Sequence, residues 1–184
     1  MANALLVADM LVGFLELGHN LYCGDDARGI IPNVQRIPEG EQARGSSVFF
    51  ICDTHDPDDL EFQMFPEHCV RGTEECAVIP ELSAYDGAII PKRRYNAFFD
   101  TDLERRLADL KPEKVIICGL CTDICVLHTA ASARYRDYAV EIPVDCVATF
   151  DPDAHNSALT HMEKILGAKL VHAPAPVTDR SSYR

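Results

Sequence analysis

The stretch KVIICGLCTDICVLHTAASA, residues 114–133, joins a short apolar run to a segment with helical spacing. The run ends at Gly119, and residues 122–136 are predicted to form a helix with Thr122 as its N-cap. Cys125 then lies near the first turn, where main-chain N–H groups and the helix dipole stabilise a thiolate. A strand, a turn and a helix in this order indicate one unit of a parallel α/β sheet.

Similar units recur along the chain, because further short apolar runs alternate with segments of helical spacing. The remaining predicted strands lie at residues 4–9, 47–52, 87–91 and 138–145, and the remaining predicted helices at residues 27–37, 101–110 and 153–167. This alternation predicts a three-layer α/β/α, Rossmann-like fold. We expect a mostly parallel six-stranded sheet with helices on both faces.

Length and composition predict one soluble domain over residues 1–184, with a polar tail at 173–184 that is a loose end or an arm onto another subunit. The apolar start contains Asp9 and lacks a basic region, so it reads as a buried strand and not as a signal peptide. No apolar run is long enough to span a membrane. With 17 basic and 29 acidic residues, the net charge of −12 argues against nucleic acid or anionic membrane and favours a small-molecule partner.

The eight cysteines predict mostly free thiols in a reducing cytoplasm, because a chain of this length does not need disulfides to fold. Three other interpretations apply to the cysteines of residues 118–125. Cys125 could be a small buried apolar residue. Cys118 and Cys121 could form a redox pair, although Cys118 belongs to the strand. Cys118, Cys121, Cys125 and His128 could bind zinc, although all four would have to meet within one turn.

Polar residues follow four of the predicted strands. Asp9 follows the first, Asp53 the second, Lys92 the third and Cys125 the fourth. Each has an ordinary explanation when taken alone, since Asp often ends a strand and Lys92 begins a basic triplet. Ligands of open parallel sheets bind at the carboxyl ends of the strands, so their convergence favours one site. There Lys92 would lower the pKa of the thiol and Asp9 would accept its proton.

Residues 53–73 contain three candidate metal ligands. Asp53 and His55 are two residues apart and share a face of an extended chain, and His68 follows later in the loop. Two imidazoles and a carboxylate leave coordination positions open on zinc, iron or manganese. The alternative is an acidic, solvated loop, which is the predicted state of Asp56, Asp58 and Asp59 in particular.

The chain resembles the isochorismatase-like cysteine hydrolases, and specifically their nicotinamidase branch, from Ala4 to about Val171. The resemblance rests on GLCTDICVLHTA, on KRRYNAFFDTDL and on the Asp-x-His pair with its later histidine. It implies a catalytic triad of Asp9, Lys92 and Cys125 and a cis peptide bond between Leu120 and Cys121. It also adds Glu61 to the metal ligands Asp53, His55 and His68. Phe14, Phe65 and Tyr95 fall where members of the family wall the substrate ring, although they could equally be core aromatics.

The resemblance implies hydrolysis of nicotinamide to nicotinate and ammonia through a thioester at Cys125, with one divalent metal ion, zinc before iron or manganese. It also implies that copies of this chain can associate into a homo-oligomer. Many nicotinamidases have Asp-x-Gln-x-Asp-Phe at the first strand, whereas residues 9–14 are DMLVGF and lack the second acid. Two alternatives stay open: an amidase of the same fold that acts on another small amide or carbamoyl compound, and an inactive metal-binding member.

Overall fold

A single parallel sheet runs through the structure, a computed structural model in which residues 2–175 are described. Its strands are β1 (Ala4–Ala8), β2 (Ser47–Asp53), β3 (Ala88–Lys92), β4 (Val115–Leu120), β5 (Val140–Pro143), β6 (Val147–Ala148) and β7 (Lys169–Val171). The spatial order is β3-β2-β1-β4-β5-β7, and β6 pairs with the end of β4. Every strand pair is parallel, as the alternation of strands and helices predicts.

Within residues 2–175 the sheet has seven strands, so the expectation of six was wrong. The apolar run at 138–145 leaves the sheet after Pro143, makes a 3₁₀ turn over Val144–Cys146 and returns as β6. Strands β6 and β7 have only two and three residues. Such lengths are too short to produce a recognisable alternation of apolar residues.

The helices are α1 (Val12–Leu15), α2 (Asp25–Gly29), α3 (Ile31–Ala43), α4 (Leu103–Leu110), α5 (Leu127–Arg134) and α6 (Pro152–Lys164). Successive residues of a strand point to opposite faces of a sheet. Leu5 therefore packs into a core with residues of α1, α2 and α3, whereas Leu6 packs into a second core with residues of α4, α5 and α6. These two cores give the predicted three layers, and both faces of the sheet are covered.

Local details differ from the sequence prediction at the start of the helical segment after β4. Residues Thr122–Val126 form a π-helical turn before α5, and the N-cap is Cys121. Cys121 has an extended backbone conformation, so Thr122 is the first residue of the turn and not its cap. The Thr122 hydroxyl oxygen lies 2.9 Å from Nδ1 of His155. The predicted helix at 27–37 is divided between α2 and α3.

The long segment between β2 and β3 contains two 3₁₀ turns, Leu60–Gln63 and Glu74–Cys76. Within residues 2–175 no helix combines the length and apolar character needed to cross a membrane. The predicted tail at 173–184 falls largely outside the described residues, which end at Ala175.

Candidate active site

Strand register brings the polar residues that follow β1, β2, β3 and β4 to one edge of the sheet. Asp53 and Lys92 are direct partners in the β2–β3 ladder. Asp9 continues β1 and donates its main-chain N–H to the Ile51 carbonyl of β2. Asp9 has a φ of 52°, a left-handed conformation that Asp tolerates better than most residues. The convergence predicted for four separate strand ends is therefore present.

Lys92 lies at the centre of this cluster, and its side chain has no solvent exposure. The ammonium Nζ is 2.5 Å from Asp53 Oδ1, 3.0 Å from Asp9 Oδ2 and 3.5 Å from Cys125 Sγ. Burial by itself would lower the pKa of Lys92, but Asp53, Asp9 and Cys125 outweigh it and hold this pKa well above the usual value. Lys92 is therefore a permanent buried cation, not part of a solvated face.

Asp9 faces both Lys92 and Cys125. Burial raises the pKa of Asp9 to about 6, although Lys92 acts in the opposite direction. Asp9 also accepts a hydrogen bond from the Asp53 main-chain N–H, with a length of 3.0 Å. A carboxylate with a raised pKa is a better proton acceptor than an ordinary aspartate.

Cys125 is buried, and its pKa lies well above the ordinary thiol value, opposite to the direction expected from the sequence. Burial is the largest cause, and the charges of Asp9 and Asp53 add to it, while Lys92 acts against both. The resting group is therefore a neutral thiol. Nucleophilic attack then requires a neighbouring proton acceptor, and Asp9 occupies that place.

Asp53, at the end of β2, and three side chains from the segment that follows form a compact, buried set of possible metal ligands: Asp53, His55, Glu61 and His68. Their inward atoms all lie within 4.8 Å of one another. Nε2 of His55 is 3.5 Å from Asp53 Oδ2 and 4.0 Å from Glu61 Oε1. Nε2 of His68 is 3.7 Å from Asp53 Oδ2 and 3.9 Å from Glu61 Oε1.

These separations suit a divalent metal ion. Ligands about 2.1 Å from a tetrahedral zinc are about 3.4 Å from one another, slightly closer than the separations found here. His68 Nδ1 is 2.8 Å from the Pro66 carbonyl oxygen, which can only accept, so Nδ1 carries the proton and the Nε2 lone pair faces inward. Nε2 of His55, which faces Asp53 and Glu61, is buried without a hydrogen-bond partner. A buried ring nitrogen that faces two carboxyl groups and has no hydrogen-bond partner is suited to bind a cation, so the residues fit a metal.

A cleft opens beside Cys125 and three of the four possible ligands, Asp53, Glu61 and His68. The space between its atoms is about 380 Å³ when the solvent at its open mouth is included, and its walls include all three predicted aromatic residues, Phe14, Phe65 and Tyr95. The cleft is also lined by Leu120 and Cys121, which are joined by a cis peptide bond, as the resemblance implies. A flat aromatic amide could therefore lie between apolar walls, with its polar ends towards the thiol and the possible metal ligands.

Sequence reasoning missed several residues at this site, among them Phe150 and Asp59. Phe150 also lines the cleft and follows β6, so the rule about strand ends would have found it had this short strand been recognised. Asp59 was expected to be solvated, yet its side chain is only 5% exposed and lies 3.2 Å from Nδ1 of His55. The Cys118, Cys121, Cys125 and His128 set does not appear as a possible ligand group within residues 2–175.

This chain is similar to known proteins in both sequence and structure. The sequence model of the Isochorismatase domain matches residues 3–174. Nicotinamidase PncA from Bacillus subtilis has a solved structure that is 34% identical, with a TM-score of 0.87, covering 94% of this chain and 100% of that chain. A pyrazinamidase from Pyrococcus horikoshii, solved in complex with zinc, is 28% identical with a TM-score of 0.86. That match covers 94% of this chain and 99% of the pyrazinamidase chain.

An N-carbamoylsarcosine amidase from Thermoplasma acidophilum is also similar, at 29% identity and a TM-score of 0.85, covering 97% of this chain and 100% of that chain. These structures share the fold over nearly their whole length, although the proteins are named for different amide substrates. With the family model matched over residues 3–174, the chain belongs to the isochorismatase family of hydrolases.

Proposed function

We propose that this hydrolase is a metal-dependent cysteine amidohydrolase that converts nicotinamide to nicotinate and ammonia. The observation that carries the proposal is the meeting of two sites in one cleft. Lys92 Nζ is 3.5 Å from Cys125 Sγ and 2.5 Å from Asp53 Oδ1, and Asp53 also belongs to the metal-ligand set. A nucleophile and a ligand set this close together fit a substrate that is bound at both ends.

In the first half of the reaction, Cys125 attacks the carboxamide carbon and Asp9 accepts the thiol proton. Main-chain N–H groups around Cys125 stabilise the oxyanion. Asp9 then gives the proton to the amide nitrogen, the C–N bond breaks, and ammonia leaves a thioester on Cys125. In the second half, Asp9 takes a proton from water, the water oxygen attacks the thioester, and the proton returns to the Cys125 sulfur. Lys92 keeps Asp9 and the sulfur in place throughout.

Asp53, His55, Glu61 and His68 would hold the metal. A metal held there would supply a Lewis acid able to bind the pyridine nitrogen and so keep the ring oriented. Phe14, Phe65 and Tyr95 would enclose the ring. The donor types suit zinc, iron and manganese, and the zinc complex of the Pyrococcus horikoshii relative supports zinc first.

A second candidate is an amidase with the same chemistry that acts on a different small amide or carbamoyl compound. It is favoured by the similarity to N-carbamoylsarcosine amidase and by residues 9–14, DMLVGF, which lack the second acid of many nicotinamidases. An inactive, metal-binding member of the fold is the third possibility. For nicotinamide, the proposal extends to a cytoplasmic enzyme of NAD salvage, and the eight free cysteines are compatible with a reducing compartment.

The deciding experiment measures ammonia release from a panel of nicotinamide, pyrazinamide, N-carbamoylsarcosine and simple aliphatic amides, together with metal content. We expect nicotinamide and pyrazinamide to be the fastest, with activity lost on chelation and restored by zinc, iron or manganese. Faster turnover of a carbamoyl compound with no turnover of nicotinamide would select the second candidate. Full metal content without turnover of any amide would select the inactive member.

A further inference from the structure

Both oxygens of the Asp59 carboxylate make hydrogen bonds to neighbouring residues, although Asp59 lies in the long segment between β2 and β3. Oδ1 accepts from the Glu61 main-chain N–H at 2.9 Å and from Arg94 Nη1 at 2.8 Å. Oδ2 lies 2.9 Å from the same Arg94 nitrogen and 3.2 Å from Nδ1 of His55. Three neighbours, Glu61, Arg94 and His55, therefore engage the two oxygens of this carboxylate.

The contact with His55 sets which ring nitrogen faces the possible metal ligands. Arg94 Nη1 and the Glu61 main-chain N–H both donate to the Asp59 carboxyl group, so its oxygens act as acceptors. Oδ2, which accepts from Arg94, is also the oxygen that faces His55, so His55 Nδ1 is the donor in that contact. Nε2, the ring atom that faces Asp53 and Glu61, then presents its lone pair inward when the ring is neutral.

The contact between Asp59 and Glu61 positions a second residue of the possible metal-ligand set. Asp59 is the N-cap of the 3₁₀ turn Leu60–Gln63, and its side chain accepts from Glu61 N–H. Glu61 is the second residue of that turn, and its side chain is 4% exposed. The backbone position from which the Glu61 side chain projects is therefore set by a turn that Asp59 begins.

We propose that Asp59 is a positioning residue for the metal site, because its one carboxylate orients His55 through the ring and Glu61 through the turn. Arg94 holds this carboxylate and connects it to the chain that follows Lys92. The inference rests on the proposed metal site and adds to it a residue that does not itself bind the metal. A purely structural role would instead confine Asp59 to capping the turn and pairing with Arg94.

The substitution Asp59→Asn separates these roles. Asn is as good an N-cap as Asp, so the turn survives, but its amide now presents either a donor or a single neutral oxygen to His55 and Arg94. Asp59→Ser also keeps the cap and removes the His55 contact. Asp58→Asn is the matched control, because it removes the same charge from an exposed neighbouring position.

The measurement is the zinc dissociation constant of each full-length protein, obtained by competition with a chelating dye, together with the melting temperature of the metal-free form. Loss of a residue that orients a ligand typically weakens metal binding about 10-fold to 100-fold. We expect that loss for Asp59→Asn and Asp59→Ser, with metal-free melting temperatures close to wild type. Asp58→Asn should bind zinc within about twofold of wild type.

Zinc affinity within about twofold of wild type in the Asp59 variants would overturn the inference and leave the metal site standing. If Asp59→Asn does not fold, Asp59→Ser decides by the same criterion. A wild-type protein that binds no zinc, iron or manganese would refute the metal site itself and, with it, the metal-dependent part of the proposed function. The first result would therefore exclude the role of Asp59 alone, and the second would exclude the metal site on which the proposed function depends.

Discussion

Asp53 and Lys92 are register partners at the ends of β2 and β3, and Lys92 Nζ lies 2.5 Å from Asp53 Oδ1. The other carboxylate oxygen, Oδ2, lies 3.5 Å from Nε2 of His55. One carboxylate therefore belongs both to the cluster around Cys125 and to the possible metal site. Any change to Lys92 or Asp53 should consequently affect both.

The substitution Lys92→Met should abolish activity and destabilise the fold. Methionine fills a similar volume but leaves Asp9 and Asp53 buried without their cation, which typically costs about 3–5 kcal/mol. We expect kcat/KM for amide hydrolysis to fall at least about 100-fold. Urea unfolding and ammonia release measure the two effects.

The control is Lys114→Met, which removes a half-exposed lysine from its pair with Glu141. A half-exposed pair contributes up to about 1 kcal/mol, so this variant should remain close to wild type in stability and activity. Equal stability losses in the two variants would contradict the account of Lys92.

The substitution Gly119→Ala should disrupt the junction between β1 and β4. Gly119 has a φ of 106°, and a Cβ there would lie 2.0 Å from the Ala8 carbonyl oxygen. Neither the backbone conformation nor the space permits a side chain, so we expect a loss of more than about 3 kcal/mol, or no folded protein.

The control is Gly40→Ala, a position within α3 where a Cβ meets nothing within 4 Å. Alanine in a helix is favoured over glycine by about 0.5–1 kcal/mol, so this variant should be more stable than wild type. Thermal unfolding measures both, and a Gly119→Ala protein of wild-type stability would show that β1 and β4 do not approach as closely as described.

The substitution Glu41→Gln should weaken the fold at neutral pH but not in acid. Burial by itself would raise the pKa of Glu41, yet hydrogen bonds from Ser46, Asn3 and Arg44 outweigh it and the pKa is lowered. A lowered pKa stabilises the folded state above the unfolded-state value, about 4.3, and this contribution disappears as pH falls through the folded-state value.

We therefore expect a loss of about 1–3 kcal/mol at pH 7 relative to wild type, shrinking steadily below pH 4. Urea unfolding at both pH values measures it. Glu39→Gln, on the exposed side of the same helix, is the control and should change little. A difference between Glu41→Gln and wild type that is the same at pH 7 and pH 3 would refute the assignment.

The sequence was sufficient to predict the α/β/α fold and to bring Asp9, Asp53, Lys92 and Cys125 together. The reason is geometric: carboxyl ends of parallel strands meet at one edge, and buried strands are recognisable from their apolar runs. Strands β6 and β7 were not recognisable as separate strands. Two or three residues are too few to show the alternation of apolar side chains that identifies a strand.

The finer properties of the site depend on burial and on contacts between distant segments, which composition does not reveal. Asp59 looks like its exposed neighbours in the sequence and becomes buried because Arg94, 35 residues later, packs against it. Similarly, the pKa of Cys125 rises because burial and two carboxylates outweigh the nearby Lys92. In the sequence, the predicted helix start and Lys92 had indicated a lowered pKa for Cys125.

The most direct test of the central claim compares wild type with Cys125→Ala, both loaded with zinc and supplied with nicotinamide. We predict that wild type releases nicotinate and ammonia in equal amounts, and that Cys125→Ala is slower by at least about 1,000-fold while binding the same amount of zinc. Nicotinamide hydrolysis by Cys125→Ala at the wild-type rate would contradict the account.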